Sequence, residues 1–291
     1  WFALAWSGMT TQLSGAQSWT VLTIMVPIVI CMTIGLLVWG IINEATTSPT
    51  LATIGAASVL ILRDVVSVTS PTQMFSFTIM FVLVLIMKRW LETHTIRPQA
   101  AITAALLLFC LFGSKVSTGG TLMAGAGLAI LFNNSAAKLT RVKILTASVI
   151  TSAASYMYFF GNQQRSSQHS LTIRFPNIGG LLIVDRPLGG GQLHVFLEVY
   201  TYILFILPML SPIILIFTIK KDPKSHLFNQ FLICAIFSGL MLGRFSDGSG
   251  TESYFIYATI PLSLILVTLL QKKAQASLHL LNQLRVITSL I

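Results

Sequence analysis

The sequence predicts an all-α protein, a polytopic bundle of eight or nine transmembrane helices, and three observations lead to this fold class. The mean hydropathy is +0.82 and only 9% of the residues are charged, whereas about 25% are charged in a typical soluble domain. Apolar runs of roughly 20 residues recur along the chain, and a helix of that length crosses about 30 Å of hydrocarbon. The alternating pattern of a transmembrane β-barrel is absent.

The chain divides into two regions. Residues 1–270 form one polytopic transmembrane domain that includes a long, Gly-rich extracytoplasmic loop at 161–195. Residues 271–291 carry apolar side chains at helical spacing, which predicts an amphipathic tail lying on the cytoplasmic membrane surface. The predicted spans are, in chain order, 20–42, 51–62, 72–87, 98–113, 118–132, 143–160, 196–219, 227–243 and 253–270.

Polar or charged residues end the individual elements. Residues 1–18 are amphiphilic and rich in Ser, Thr and Gln, with tryptophans suited to a membrane–water interface. Asn43 and Glu44 end the first span, a Lys-Arg-Trp sequence at 88–90 ends the third, and a tight turn at 114–117 separates two later ones. The run 51–62 is short, so it either crosses the bilayer or re-enters it, which gives nine or eight spans.

The distribution of basic residues predicts the orientation. Threading the spans alternately through a bilayer places twelve of the eighteen Lys and Arg residues in short loops on one side, which is therefore cytoplasmic. Nine spans then put the N-terminus outside and the C-terminus inside the cytoplasmic (inner) membrane. The net charge of +10 reflects this topology and the anionic inner leaflet, and no nucleic-acid module is present. The twelve residues are Lys88, Arg89, Arg97, Lys138, Arg141, Lys143, Lys220, Lys221, Lys224, Lys272, Lys273 and Arg285.

Cofactor and metal motifs are absent from the sequence. The three cysteines lie in apolar spans without a CxxC pair, and the five histidines lack metal-ligand spacing. No phosphate loop, dinucleotide fingerprint or nucleophile elbow occurs. The sequence therefore identifies no cofactor, excludes soluble-enzyme chemistry, and leaves the participation of a divalent cation open.

The predicted outer loops hold a second, mixed set of charges that suits a binding site. Arginine and lysine bind phosphate oxygens, and a carboxylate can act as general base toward a sugar hydroxyl. The span interiors are nearly free of charge, which argues against an ion-coupled transporter. Individually, the same residues also fit helix-end ion pairs or solvated loops. The candidate phosphate-binding residues are Arg63, Lys115 and Arg244, and the candidate catalytic carboxylates are Asp64, Asp247 and Glu252.

Three short segments carry a resemblance to a known family. They are Arg63-Asp64 through Thr72, Gly113-Ser114-Lys115 through Gly125, and Gly243 through Pro261 with Glu252-Ser253-Tyr254-Phe255. In this order they resemble the C-terminal part of large actinobacterial polytopic envelope proteins that are similar to GT-C-fold glycosyltransferases. The resemblance implies a polyprenyl-phosphate-linked sugar used on the extracytoplasmic face.

The chain departs from that family where the catalytic acid is expected. The GT-C fold places a catalytic carboxylate in the first outer loop, and this chain has no acidic residue before Glu44. The resemblance therefore implies either a catalytic portion upstream of Trp1 or the absence of transferase activity.

Three functions fit these observations. The first is a GT-C-like extracytoplasmic glycosyltransferase, or a fragment of one, whose partners are membrane lipids, a polyprenyl-phosphate-linked sugar donor and a glycan acceptor. The second is a non-catalytic integral membrane subunit that scaffolds a complex or belongs to a flippase. The third is a polymerase or ligase of lipid-linked glycans.

Overall fold

A computed structural model describes residues 2–17, 20–61, 71–93, 95, 97–132, 138–160, 172–173, 223–243, 245–246 and 255–272. These residues are almost entirely helical, which confirms the all-α class. The helices in this part of the chain are α1 (Phe2–Ser14), α2 (Val26–Thr46), α3 (Pro49–Ile61), α4 (Pro71–Thr93), α5 (Pro98–Ser114), α6 (Val116–Phe132), α7 (Lys138–Phe160), α8 (Pro223–Leu242) and α9 (Phe255–Lys272). A single π-helical turn, Val21–Met25, leads into α2, and the strands β1 (Thr172–Ile173) and β2 (Phe245–Ser246) form one short antiparallel pair.

Three of the described helices are long and apolar enough to cross a membrane. They are α2, residues Thr72–Thr93 of α4, and α9. Apolar side chains such as Leu36, which is 70% exposed, cover the outside of α2. The composition of these helices indicates that the protein associates with a membrane. The predicted span 196–219 and most of the tail 271–291 lie outside the described residues.

Helix α2 continues past the polar residues that were expected to end it. It runs to Thr46, and Thr47 adopts a left-handed conformation with φ 54°. The backbone N–H of Thr47 donates to the carbonyl of Asn43 at 2.7 Å. Glu44 remains helical because its carboxylate is paired across the bundle, so a charged residue near this helix end does not stop the helix.

Helices α2, α4 and α9 run parallel, and their C-terminal ends meet. Glu44 of α2 accepts hydrogen bonds from Lys88 at 3.4 Å and from Arg89 at 2.6 Å, both on α4. Lys272, the last residue of α9, donates to the carbonyl of Thr46 and, at 3.2 Å, to the hydroxyl of Thr47. This end of the bundle is called the Lys88 end below.

Helices α4 to α7 alternate in direction and define the opposite end, called the Lys115 end after the residue between α5 and α6. Ser76, near the start of α4, lies 3.4 Å from the hydroxyl of Thr118, near the start of α6. Ser155 of α7 donates to the carbonyl of Phe109 at 2.7 Å, close to the C-terminal ends of both helices. Helices α4 and α6 therefore start at the Lys115 end, whereas α5 and α7 finish there.

Helix α3 runs antiparallel to α2. A Cβ at Gly35 would lie 3.0 Å from Leu60, and Gly55 faces Ile42 of α2 and Thr268 of α9. With 13 residues, α3 is about 20 Å long and falls short of a full bilayer crossing. Residue 62 and the segment that follows lie outside the described residues, so both alternatives for 51–62 remain predictions.

Close backbone contact joins α6 to α8. A Cβ built at Gly125 would overlap the backbone of Ala235 and lie 2.6 Å from its Cβ. Gly239 of α8 is enclosed in a similar way by Thr259 of α9 and, at 2.9 Å, by the Cγ2 of Thr121 of α6. Small residues permit this approach, which is a common way of packing helices in a membrane.

We expect the substitution Gly125→Ala to destabilise the protein by roughly 1–3 kcal/mol, because the added methyl group overpacks the contact with Ala235. Gly40→Ala is the matched control, since nothing lies within 4 Å of a Cβ at Gly40. The measurement is thermal or denaturant unfolding of both variants in detergent. Equal stability of the two variants would show that α6 and α8 are not in close contact.

Candidate functional site

Of the six residues proposed for the site from the sequence, Lys115 lies within the described part of the chain. Arg63, Asp64, Arg244, Asp247 and Glu252 lie outside it. The site is therefore described here from Lys115 and its surroundings at the Lys115 end of the bundle.

Lys115 forms the whole connection between α5 and α6. A four-residue turn was expected at 114–117, but α5 includes Ser114 and α6 begins at Val116. Lys115 has an extended backbone, with φ −152° and ψ 108°. Its N–H donates to the carbonyl of Leu111 at 2.8 Å, and its own carbonyl accepts from Gly119 at 3.1 Å. These bonds satisfy backbone groups that a wider turn would leave to solvent.

The Lys115 side chain is half-buried, although it lies at the end of the bundle. This burial lowers the pKa of its ammonium group from the ordinary lysine value, because removal from water penalises the charged form. A phosphate or another anion beside the ammonium group would offset that penalty. The environment of Lys115 therefore suits an anionic ligand better than a fully solvated lysine would.

A cluster of buried hydroxyl groups lies next to this turn and is called the hydroxyl cluster below. It consists of Ser76 of α4 with Thr118 and Thr121 of α6, which are 0%, 2% and 0% exposed. The hydroxyl of Ser76 donates to the carbonyl of Gln73 at 2.7 Å and lies 3.4 Å from that of Thr118. The cluster ties the start of α4 to the start of α6 and so supports the turn that carries Lys115.

Thr121 differs from the other two members of the cluster. Its hydroxyl oxygen is buried and has no hydrogen-bond partner among the described residues. A buried hydroxyl without a partner lowers the free energy of unfolding by about 1–3 kcal/mol relative to one that is hydrogen-bonded. Its methyl group lies against Gly239, at the point where α6, α8 and α9 meet. Thr121 is therefore a buried polar group near the Lys115 end whose hydroxyl has no hydrogen-bond partner among the described residues.

Packing around two glycines brings the start of α9 next to the Lys115 turn. A Cβ at Gly119 would lie 2.8 Å from the ring of Phe112, and one at Gly120 would lie 3.4 Å from the ring of Phe255. Phe255 is the first residue of α9, and the candidate Glu252 precedes it by three positions in the sequence. The start of α9 and the Lys115 turn therefore lie at the same end of the bundle, whereas Glu252 itself lies outside the described residues.

The strand pair joins two loops that were both assigned to the outer side. Thr172 pairs with Ser246 and Ile173 with Phe245 in an antiparallel register. Thr172 and Ile173 belong to the long loop 161–195, and the strand Phe245–Ser246 stands between the candidates Arg244 and Asp247 in the sequence. Backbone pairing therefore anchors the segment of these two candidates to the long loop.

Sequence reasoning missed the hydroxyl cluster. Its signal was present, because Gln73 and Ser76 are three residues apart and Thr118 and Thr121 have the same spacing, which puts each pair on one helix face. Such residues also occur singly in membrane spans, where their hydroxyls donate to their own helix backbone. Only the packing of α4 against α6 shows that the hydroxyls of Ser76 and Thr118 lie side by side.

Charges are divided between the two ends of the described bundle. Glu44 and Glu92 are the carboxylates in the described ranges, and both contact Lys88 at the Lys88 end. Within the same ranges, no group of three His, Cys, Asp or Glu residues could hold a metal ion.

Comparison of this chain with protein families, with curated proteins and with solved structures finds no match in any of the three.

We expect Thr121→Val to leave the free energy of unfolding unchanged or to increase it, because valine removes a buried hydroxyl without a described partner and keeps the shape of the side chain. Thr118→Val is the matched control on the same helix and should lower stability by about 1 kcal/mol, since it breaks the contact with Ser76. Unfolding in detergent measures both. A clear loss of stability in the Thr121 variant would mean that this hydroxyl has a structural partner.

Proposed function

We propose that the protein is a multi-pass protein of the cytoplasmic membrane and a GT-C-like glycosyltransferase, or part of one. It uses a polyprenyl-phosphate-linked sugar on the extracytoplasmic face during assembly of a cell-envelope glycan. The observation that carries this proposal is Lys115, a half-buried lysine in a one-residue turn beside buried hydroxyl groups. A lysine in this position suits the phosphate of a lipid-linked donor.

The directions of the helices support the proposed orientation. Helices α2, α4 and α9 end together, as expected of spans that run from outside to inside. Arg97, Lys143 and Lys272 lie at that same Lys88 end, and loops rich in Lys and Arg remain in the cytoplasm. The Lys115 end is then extracytoplasmic, the N-terminus is outside and the C-terminus is inside, as in the nine-span alternative.

The proposed roles follow from the chemistry of each side chain. Lys115, together with Arg244 and Arg63, binds the donor phosphate and stabilises the negative charge that develops on it as the glycosidic bond breaks. Asp247, Glu252 or Asp64 accepts the proton of the acceptor hydroxyl.

A second function, that of a non-catalytic membrane subunit, is favoured by one observation. Both carboxylates in the described ranges, Glu44 and Glu92, are paired with cations at the Lys88 end, opposite to Lys115. In that case the Lys115 end binds a lipid-linked glycan, and a partner protein supplies the catalytic acid.

The orientation can be tested by labelling in intact cells. In a background whose natural cysteines are replaced by serine, Lys115→Cys and Gly248→Cys should react with a membrane-impermeant thiol reagent. Asp222→Cys is the control and should react only after the cells are opened, because position 222 is assigned to the cytoplasm. The opposite pattern would invert the assignment of both ends.

The donor site can be tested by profiling the envelope glycans of cells that carry single substitutions. Lys115→Ala and Arg244→Ala should each lower the amount of product by about ten- to a hundredfold, the effect of losing one charge-assisted hydrogen bond. Lys115→Arg should restore part of it, because the positive charge is kept. Lys221→Ala, at a basic position that the sequence assigns to the cytoplasmic side, is the matched control and should have no effect.

If Lys115→Ala and Arg244→Ala both leave the glycan unchanged while the proteins reach the membrane in normal amount, the donor site is refuted. If the two substitutions abolish the product and no acidic residue of this chain is needed for it, the non-catalytic subunit is the better assignment.

A further inference from the structure

An apolar cavity of about 340 Å³ opens between α4, α5, α6 and α7. It lies in the half of the bundle toward the Lys88 end, because its lining comes from the last part of α4, the first part of α5 and the later part of α6. Small side chains make room for it, and Leu83, Leu108 and Ile130 form apolar walls. The small lining residues include Ala101, Ala104, Ala105, Ala124, Ala126 and Gly127.

The cavity suits a hydrocarbon chain in size and chemistry. Its volume lies at the lower end of the range of ligand sites, roughly 300–1,000 Å³, and its polar lining side chains are Ser148 and Thr151. An acyl chain in this cavity stays in apolar surroundings, as it does in the bilayer, but a phosphate or a sugar placed there would lose its hydration. A polar headgroup must therefore stay outside.

Positive charge borders the cavity at the Lys88 end. Arg97 precedes the lining residue Ala101 by one helical turn, Lys143 directly precedes the lining residue Ile144, and both basic residues are exposed. The nearby carboxylate of Glu92 is neutralised by Lys88 at 2.8 Å. The border therefore complements an anionic headgroup, since each Lys or Arg near a membrane surface attracts anionic lipid.

We propose that this cavity binds one acyl chain of an anionic phospholipid, whose phosphate is held near Arg97 and Lys143. The inference requires only that the protein lies in a membrane, and it is independent of the proposed glycosyltransferase activity. The lipid fills the space between the four helices and stabilises their packing at the end of the bundle opposite to Lys115.

Trp90 provides a direct reporter of this site. It lines the cavity and is only 4% exposed, so an acyl chain reaches its ring only by entering the cavity. Trp39 of α2 is 37% exposed and does not line the cavity, so it contacts bilayer lipids whatever their headgroup. Two variants that retain only Trp90 or only Trp39 therefore form a matched pair.

The experiment measures quenching of tryptophan fluorescence by lipids with brominated acyl chains. The purified full-length protein is reconstituted in vesicles of phosphatidylcholine and phosphatidylglycerol in equal parts, with only one of the two lipids brominated. We expect Trp90 to be quenched severalfold more strongly when phosphatidylglycerol carries the bromine, whereas Trp39 should not distinguish the two. Arg97→Gln and Lys143→Gln should each remove most of this preference at Trp90, because each takes away one of the two positive charges near the headgroup.

A second variant tests the cavity itself. Ala104→Phe fills the space and should abolish quenching of Trp90, whereas Ala154→Phe, at an exposed position of α7 outside the lining, should preserve it. Equal quenching of Trp90 by both brominated lipids, or none by either, would overturn the proposal. So would displacement of the brominated lipid by unlabelled polyprenyl phosphate but not by unlabelled phosphatidylglycerol, since the cavity would then belong to a polyprenyl lipid.

Discussion

The pairing of Glu44 with Lys88 and Arg89 is the interaction on which the arrangement of the other helices depends. Lys88 is only 2% exposed, so its ammonium group requires a partner, and Glu44 and Glu92 provide two, at 3.4 and 2.8 Å. Because Glu44 is on α2 and the cations are on α4, the pairing determines the relative direction and register of the two helices. The contact of Lys272 with Thr46 extends the same constraint to α9.

Once these three helices are aligned, glycine contacts determine what lies at the opposite end. Gly125 brings α6 against Ala235 of α8, and Gly239 brings α8 against Thr259 of α9. The starts of α4, α6 and α9 then surround the turn that carries Lys115. A buried ion cluster at one end and close backbone packing along the bundle together place a half-buried lysine next to hydroxyl groups. In the described residues, the Lys88 end thus holds paired carboxylates and cations, whereas the Lys115 end holds a lysine and buried hydroxyl groups.

This difference gives the two proposals a common physical basis. At the Lys88 end, both carboxylates in the described part of the chain are paired with basic side chains, so the exposed Arg97 and Lys143 can attract lipid phosphates. At the Lys115 end, burial lowers the pKa of Lys115, and an anion beside its ammonium group would offset this penalty. A protein of this kind would use the attraction between a basic side chain and a phosphate group twice. At the Lys88 end it would hold an anionic phospholipid that stabilises helix packing, and at the Lys115 end it would hold the lipid-linked substrate.

Hydropathy and charge by themselves determined the helical class and the positions of most of the described helices, because burial of apolar groups and repulsion of charge from hydrocarbon act on each segment locally. They also identified Lys115, since a basic residue in a short turn between apolar runs is visible in the linear pattern. Only the tertiary structure decided that Glu44 pairs with Lys88, that the hydroxyls of Ser76 and Thr118 meet, and that a cavity forms beside Trp90. These features depend on which helix faces which, and helix packing is set by contacts between residues that are far apart in the sequence.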